Sequence, residues 1–193
     1  MEQVCFKGYV GSEAMKQQGD ERDHEWHSDD GRFGIRLSAT CLSQLLSCCQ
    51  QAGAHETGGI LAGKYTAALD VAQVTRVSPA PPDSRQGPTW FERGTVGLQV
   101  WLDTLWTEHH EYYLGEWHYH PAAVPDPSRV DRIQIQSIAR ASVYSCPEPL
   151  LLILSGSSDA QLTVRAFVVP HGDNTIPLRR RKSDREEEDA HQL

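Results

Sequence analysis

Two histidines at alternate positions of one stretch, in Gly115-Glu-Trp-His118-Tyr-His120-Pro121, constrain this chain more than any other feature. The run Tyr112–Tyr119 reads as a strand, rich in aromatic residues and ending at a proline. Alternate side chains on a strand project to the same side, so His118 and His120 share one face and Tyr119 takes the other. Three prolines, Pro121, Pro125 and Pro127, stiffen the next segment. Ser128-Arg-Val-Asp131 then opens a helix with the spacing of a capping box. The expected unit is a strand, a rigid loop, and a helix whose first turn faces back toward the strand end.

Asp131 lies eleven residues beyond His120, close enough for that turn to present it to both imidazoles. Two histidines, one carboxylate and a water make a tetrahedral site with an open position, the arrangement of catalytic zinc. The predicted ligands are therefore His118, His120 and Asp131, holding one Zn2+ per chain. Zinc lowers the pKa of a bound water to about 7, and a base must still take its proton. Glu56, in His55-Glu-Thr-Gly-Gly-Ile-Leu-Ala-Gly63 where a helix gives way to a strand, is the candidate base. Gly58 and Gly59 there permit close approach of another backbone. Ser128 can donate a hydrogen bond to a developing oxyanion. Glu116, preceding the ligands on the strand, is a candidate for orienting a ligand histidine, and Trp117 reads as core. Taken singly, each of these residues has an ordinary role: a polar strand face, a helix-end carboxylate, a helix cap. Their co-occurrence argues for a metal site. The remaining histidines, His24, His27, His55, His109, His110, His171 and His191, form no HExxH zinc helix.

The rest of the chain suits one α+β domain, a mixed sheet flanked by helices. Ser38 is a candidate N-cap, and Leu42, Leu45, Leu46 and Cys49 recur with helical spacing up to Gly53. Gly58–Lys64, Val71–Val77, Leu150–Leu154 and Leu162–Val169 read as strands, Pro79–Pro88 as a loop. Thr95–His109 and Ser128–Ser142 read as helices, the second with Val130, Ile133, Ile138 and Ala141 on one face. The domain is expected over residues 32–177. Residues 1–31 read as an acidic extension with a short strand at Gln3–Val10, and residues 178–193 as a disordered, block-charged tail.

Net charge is −8, and residues 1–31 carry eight acids against three bases, a local balance of −5. An acidic chain without a large basic face repels nucleic acid, which disfavours a nucleic-acid enzyme. No apolar run approaches the roughly 20 residues of a membrane span, and residues 1–11 lack the pattern of a secretory signal. Five cysteines without regular spacing read as reduced thiols, which places the chain in the cytoplasm.

An upstream glutamate, H-x-H-P and S-x-x-D together resemble the JAMM/MPN metalloprotease signature, and the order of elements from about Leu37 to Val169 is similar to that family's. The resemblance implies a JAB/MPN-like fold and a single zinc. It also implies Glu56 as general base, His118, His120 and Asp131 as ligands, and Ser128 as support for the tetrahedral intermediate. The substrates it implies are peptide or isopeptide bonds after the C-terminal residue of ubiquitin-like proteins. Tyr119 between the histidines departs from the small residue common in eukaryotic members and is closer to the bacterial JAB group. Within that group the chain resembles deconjugating peptidases encoded beside E1- and E2-like enzymes in antiphage CBASS operons. Their partner is a nucleotidyltransferase-like signalling enzyme (a CD-NTase) conjugated through an extended C-terminal tail. Two other readings are a JAMM hydrolase acting on a sulfur-carrier ubiquitin-like protein and a non-catalytic MPN scaffold. Retention of all five expected side chains disfavours the scaffold. An extended tail is expected to pair with a strand edge beside the metal, flanked by the loops Pro79–Gly94 and Pro121–Pro127.

Overall fold

The computed structural model describes residues 23–121, 123–156, 162–172 and 174–181. The expected strand at Gln3–Val10, most of the acidic extension and the charged end beyond residue 181 lie outside them. Elements run in the order β1 (His24–His27), β2 (Gly34–Leu37), α1 (Ala39–Ala52), β3 (Thr57–Tyr65), β4 (Val71–Val77), β5 (Arg85–Gly87), β6 (Trp90–Glu92) and α2 (Leu98–His109). Next come β7 (Tyr112–Pro121), α3 (Arg129–Arg140), a 3-10 turn (Ser142–Tyr144), β8 (Leu150–Gly156), β9 (Thr163–Val168) and β10 (Ile176–Arg180). No helix of the described residues is long and apolar enough to cross a membrane.

The class is α+β, as expected, but the mixed sheet closes. Eight strands form a barrel in the order β1-β10-β9-β8-β7-β3-β4-β2, with β2–β4 and β7–β8 parallel. Closure depends on β1, which pairs with β2 on one side and β10 on the other. The sheet therefore reaches outside the expected 32–177 span at both ends: β1 lies within the presumed extension and β10 continues to Arg180. In His24-Glu-Trp-His27 only Trp26 is buried, so the strand carries too little apolar pattern to stand out among charged neighbours.

Strands β7 and β8 are covered on both faces. Trp117, Tyr119, Leu150, Leu152 and Leu154 join a core that includes Cys41, Leu45 and Cys49 of α1. Leu151 and Ile153 join a second cluster with Ile135 and Ile138 of α3 and, at its margin, Leu98, Trp101 and Leu102 of α2. Helix α1 starts where expected, the Ser38 hydroxyl accepting from the Cys41 N–H at 3.1 Å, and stops at Gly53, whose φ of 61° suits a residue without a Cβ. Cys41, Cys48, Cys49 and Cys146 are free thiols, and burial pushes those of Cys49 and Cys146 up to about 12.

Of the stripe expected on helix α3, only Ile138 is buried. Asp131, Ile135, Ile138 and Ala139 face inward, while Val130 and Ile133 are 67% and 57% exposed, and the helix ends before Ala141. Apolar count alone favours Val130 and Ile133. Pairing of Asp131 with His118 and His120 rotates the helix away from them.

Strand β3 lies against β7 with Gly58 opposite His118 and Gly59 opposite Trp117. A Cβ on Gly58 would stand 2.5 Å from the Trp117 carbonyl oxygen, and one on Gly59 would stand 2.3 Å from the Ser78 carbonyl oxygen. The glycine pair thus sets how closely β3 and the Ser78 segment approach the histidine strand. Ser78 in turn accepts from the Trp117 indole N–H through its carbonyl at 2.9 Å, and from the Ile60 N–H through its hydroxyl, also at 2.9 Å.

Stability should reflect both features. Trp26→Ala removes a core side chain that is 3% exposed and is expected to cost about 3–5 kcal/mol in denaturant unfolding, whereas a strand outside the domain would cost almost nothing. Gly59→Ala is expected to cost about 1–3 kcal/mol by overpacking, read as a lower urea midpoint at unchanged slope.

Candidate metal centre

Alternation along β7 puts Glu116, His118 and His120 on one face of the strand, all three buried. Seven ladder positions pair β7 with β8, His120 lying opposite Ser155, so the histidine backbone is held in a central strand. The loop after Pro121 is tied down: the Ser155 hydroxyl donates to the Ala123 carbonyl, and Arg165 of β9 pairs with Asp126. That anchoring delivers the N-terminus of α3 to the end of β7.

There the capping box forms in full. The Asp131 N–H donates to the Ser128 hydroxyl oxygen at 3.1 Å, and the Ser128 N–H donates to Asp131 Oδ2 at 2.7 Å. The same carboxylate meets both imidazoles, with Oδ1 3.0 Å from His118 Nδ1 and Oδ2 3.4 Å from His120 Nε2. Donor atoms of His118, His120 and Asp131 all lie within 4.8 Å of one another, and all three residues are buried. Among the described residues this is the one His/Cys/Asp/Glu group so arranged for a cation. Its nitrogen and oxygen donors suit a divalent ion of the zinc type.

Glu56 lies one step beyond the Thr57–Tyr119 pair in the β3–β7 register. Just ahead of β3, it alternates with Gly58, the partner of His118, toward the side that carries the imidazoles. Its backbone N–H donates to the Gly87 carbonyl at 2.8 Å, and its half-buried carboxyl is raised above the ordinary glutamate value, first by desolvation and then by the charge of Asp131, with His118 opposing. Ser128 is exposed. Its oxygen accepts within the cap, which leaves its own hydroxyl proton free to point elsewhere.

Charges are strongly coupled in this face. Burial disfavours a charged His118, but hydrogen bonds to Asp131 and Glu116 outweigh it and hold the imidazolium up to about 9. For Asp131, burial is outweighed by the hydrogen bond and charge of His118 and by the Ser128 contacts, which keep its carboxyl far below the usual range. Burial lowers His120, with the charge of Asp131 opposing. A cation entering among these groups has to displace the His118 proton.

Residues without a sequence signal of their own complete the surroundings. The segment expected as a loop carries a two-stranded hairpin, β5–β6, and Phe91 of β6 meets the His118 ring edge-on with centroids 5.9 Å apart. Arg93, just past β6, donates to Glu116 Oε1 from Nη2 at 2.8 Å and from Nε at 3.1 Å. Gln134 of α3 donates to Glu116 Oε2 at 2.9 Å. Glu116 Oε2 also lies 3.4 Å from His118 Nε2. A Gly-Pro-Thr turn between short segments, Gly87-Pro-Thr89, is the one local hint of the hairpin. Nothing local marks Arg93 as the partner of a residue 23 positions away.

Comparison with known proteins places the chain in a family. The family described as prokaryotic homologs of the JAB domain matches residues 38–168. A CD-NTase/cGAS isopeptidase of Enterobacter hormaechei is 39% identical over 158 residues, covering 82% of this chain and 87% of that protein. A CD-NTase/cGAS isopeptidase of Escherichia coli is 31% identical over 106 residues, 54% of this chain and 64% of that protein. A probable metalloprotease of Sinorhizobium fredii is 27% identical over 131 residues, 62% of this chain and 79% of that protein. The solution structure of a Desulfitobacterium hafniense protein shares the fold, with a TM-score of 0.52 at 22% identity, covering 74% of this chain and 88% of the other. The chain belongs to the prokaryotic JAB-domain family, a family of hydrolytic enzymes.

Proposed function

We propose that this chain is a zinc-dependent isopeptidase that releases a protein from an amine to which its C-terminus has been conjugated. The observation that carries the reading is the convergence of His118, His120 and Asp131 within 4.8 Å on the face that Glu56 shares. Their burial and pairing leave little role for them as a surface polar strip, since burying such groups is costly unless they are paired or bind an ion. The relatives described as CD-NTase/cGAS isopeptidases support a CD-NTase as the conjugated partner; a role in bacterial antiphage defence follows from the resemblance alone.

In this reading His118, His120 and Asp131 are the ligands. A zinc ion held by them would supply a water of pKa about 7 and a Lewis acid for the scissile carbonyl. Glu56 would take a proton from the attacking water and return it to the departing amine as the C–N bond breaks. Burial raises its carboxyl above the ordinary glutamate value, the direction that favours a group accepting a proton. The Ser128 hydroxyl, fixed by its place in the cap, donates to the oxygen that becomes negative in the tetrahedral intermediate. The barrel being closed, the outer edge of β6 carries no ladder partner among the described residues, and an extended C-terminal tail would add there as a further strand.

The test is cleavage of a conjugate carrying a nucleotidyltransferase C-terminal tail, measured alongside metal content. Glu56→Gln is expected to keep one zinc per chain and to lose about 10²–10⁴-fold in turnover. The His118→Ala/His120→Ala variant is expected to lose both. Wild-type cleavage by Glu56→Gln would remove the base from the scheme. Stoichiometric zinc without cleavage would rule out the substrate, and absence of bound metal would favour the scaffold.

A further inference from the structure

We infer that Arg93, Glu116 and Gln134 are positioning residues that fix the His118 ring and tie the β5–β6 hairpin to it. The inference rests on the proposed metal centre and extends it to residues outside the ligand set. Glu116 is 1% exposed, and both its oxygens are used. Oε1 takes the forked pair from Arg93, while Oε2 takes Gln134 and faces His118 Nε2. The carboxylate is thus held from two directions before it meets the imidazole. It marks Nε2 as the nitrogen that keeps a proton and leaves Nδ1 facing Asp131 at 3.0 Å. A carboxylate on the far nitrogen of a ligand histidine sets both ring orientation and basicity.

Three elements meet at this one group. Arg93 comes directly after β6, Glu116 and His118 belong to β7, and Gln134 lies one turn along α3 from Asp131. The Arg93 side chain is 8% exposed, so the ion pair is buried, and its separation leaves an uncompensated charge. Phe91, two residues earlier, rests on the His118 ring, and Gly87 holds the Glu56 N–H. The hairpin cannot lift away without disturbing Glu116, the edge of His118 and the backbone of Glu56 together. Metal loading and seating of the hairpin are therefore coupled, and coupling of this kind acts in both directions.

Zinc affinity by chelator competition tests the inference, with thermal unfolding and amide exchange over residues 85–93 measured on the same samples. Gln134→Ala removes one anchor from a half-buried helix position and should fold normally. It is expected to weaken zinc several-fold with little change in Tm. Arg93→Met/Glu116→Met removes the buried charges together, which avoids an unpaired ion. It is expected to keep most of its stability, to bind zinc about 10–100-fold more weakly, and to exchange hairpin amides faster. Zinc should slow exchange over 85–93 in wild type and not in the double variant. Zinc binding within twofold of wild type in both variants would overturn the inference while leaving the metal centre intact. A wild type that binds no zinc would instead remove the reading beneath it.

Discussion

The structure turns on one carboxylate with two duties. Asp131 closes the capping box of α3 through the Ser128 N–H and faces His118 and His120. The helix N-terminus is also where a negative charge is favoured by the backbone dipole. These demands agree only if α3 enters at one position and one rotation. The result is visible in what the helix gives up: Val130 and Ile133 stay in solvent so that Asp131, Ile135 and Ile138 can face inward. A capping box ordinarily does no more than start a helix. Here the same geometry also aims the carboxylate at two buried imidazoles.

The barrel makes such a polar face tolerable. Glu116, His118 and His120 are buried on a central strand, where unpaired polar groups are costly. Each finds a partner from another segment: Arg93 and Gln134 for Glu116, Asp131 for both histidines. The opposite face of β7 contributes Trp117 and Tyr119 to the main core, and the Tyr119 hydroxyl donates to the Gly156 carbonyl at 2.9 Å. One strand therefore serves apolar packing on one side and holds a buried polar cluster on the other. Because parallel and antiparallel neighbours hold it along both edges, the side chains on the reactive face are set by a rigid backbone rather than by a loop.

Local signals carry far in this sequence. Helix α1 begins at a serine cap and ends at a glycine, and β4 spans Val71–Val77 as its β-branched residues indicate. The cluster of His118, His120 and Asp131 is legible because strand periodicity and capping-box spacing are both short-range rules. The features that local pattern misses depend on long-range pairing. Strand β1 is polar apart from Trp26, and only β2 and β10 make it a strand. The hairpin has three-residue arms, too short to show a period. Arg93 reads as a surface cation until Glu116 is brought to it. The buried face of α3 departs from expectation for a related reason: an apolar count ignores the pull that two imidazoles exert on an aspartate.

The most direct test of the central claim is X-ray absorption at the zinc edge on reconstituted protein. The account predicts nitrogen and oxygen neighbours at about 2.0–2.2 Å, the outer-shell scattering of two imidazoles, and loss of that imidazole signal in the variant lacking both His118 and His120. Sulfur in the coordination sphere, or a shell of oxygen alone, would place the metal elsewhere and contradict it.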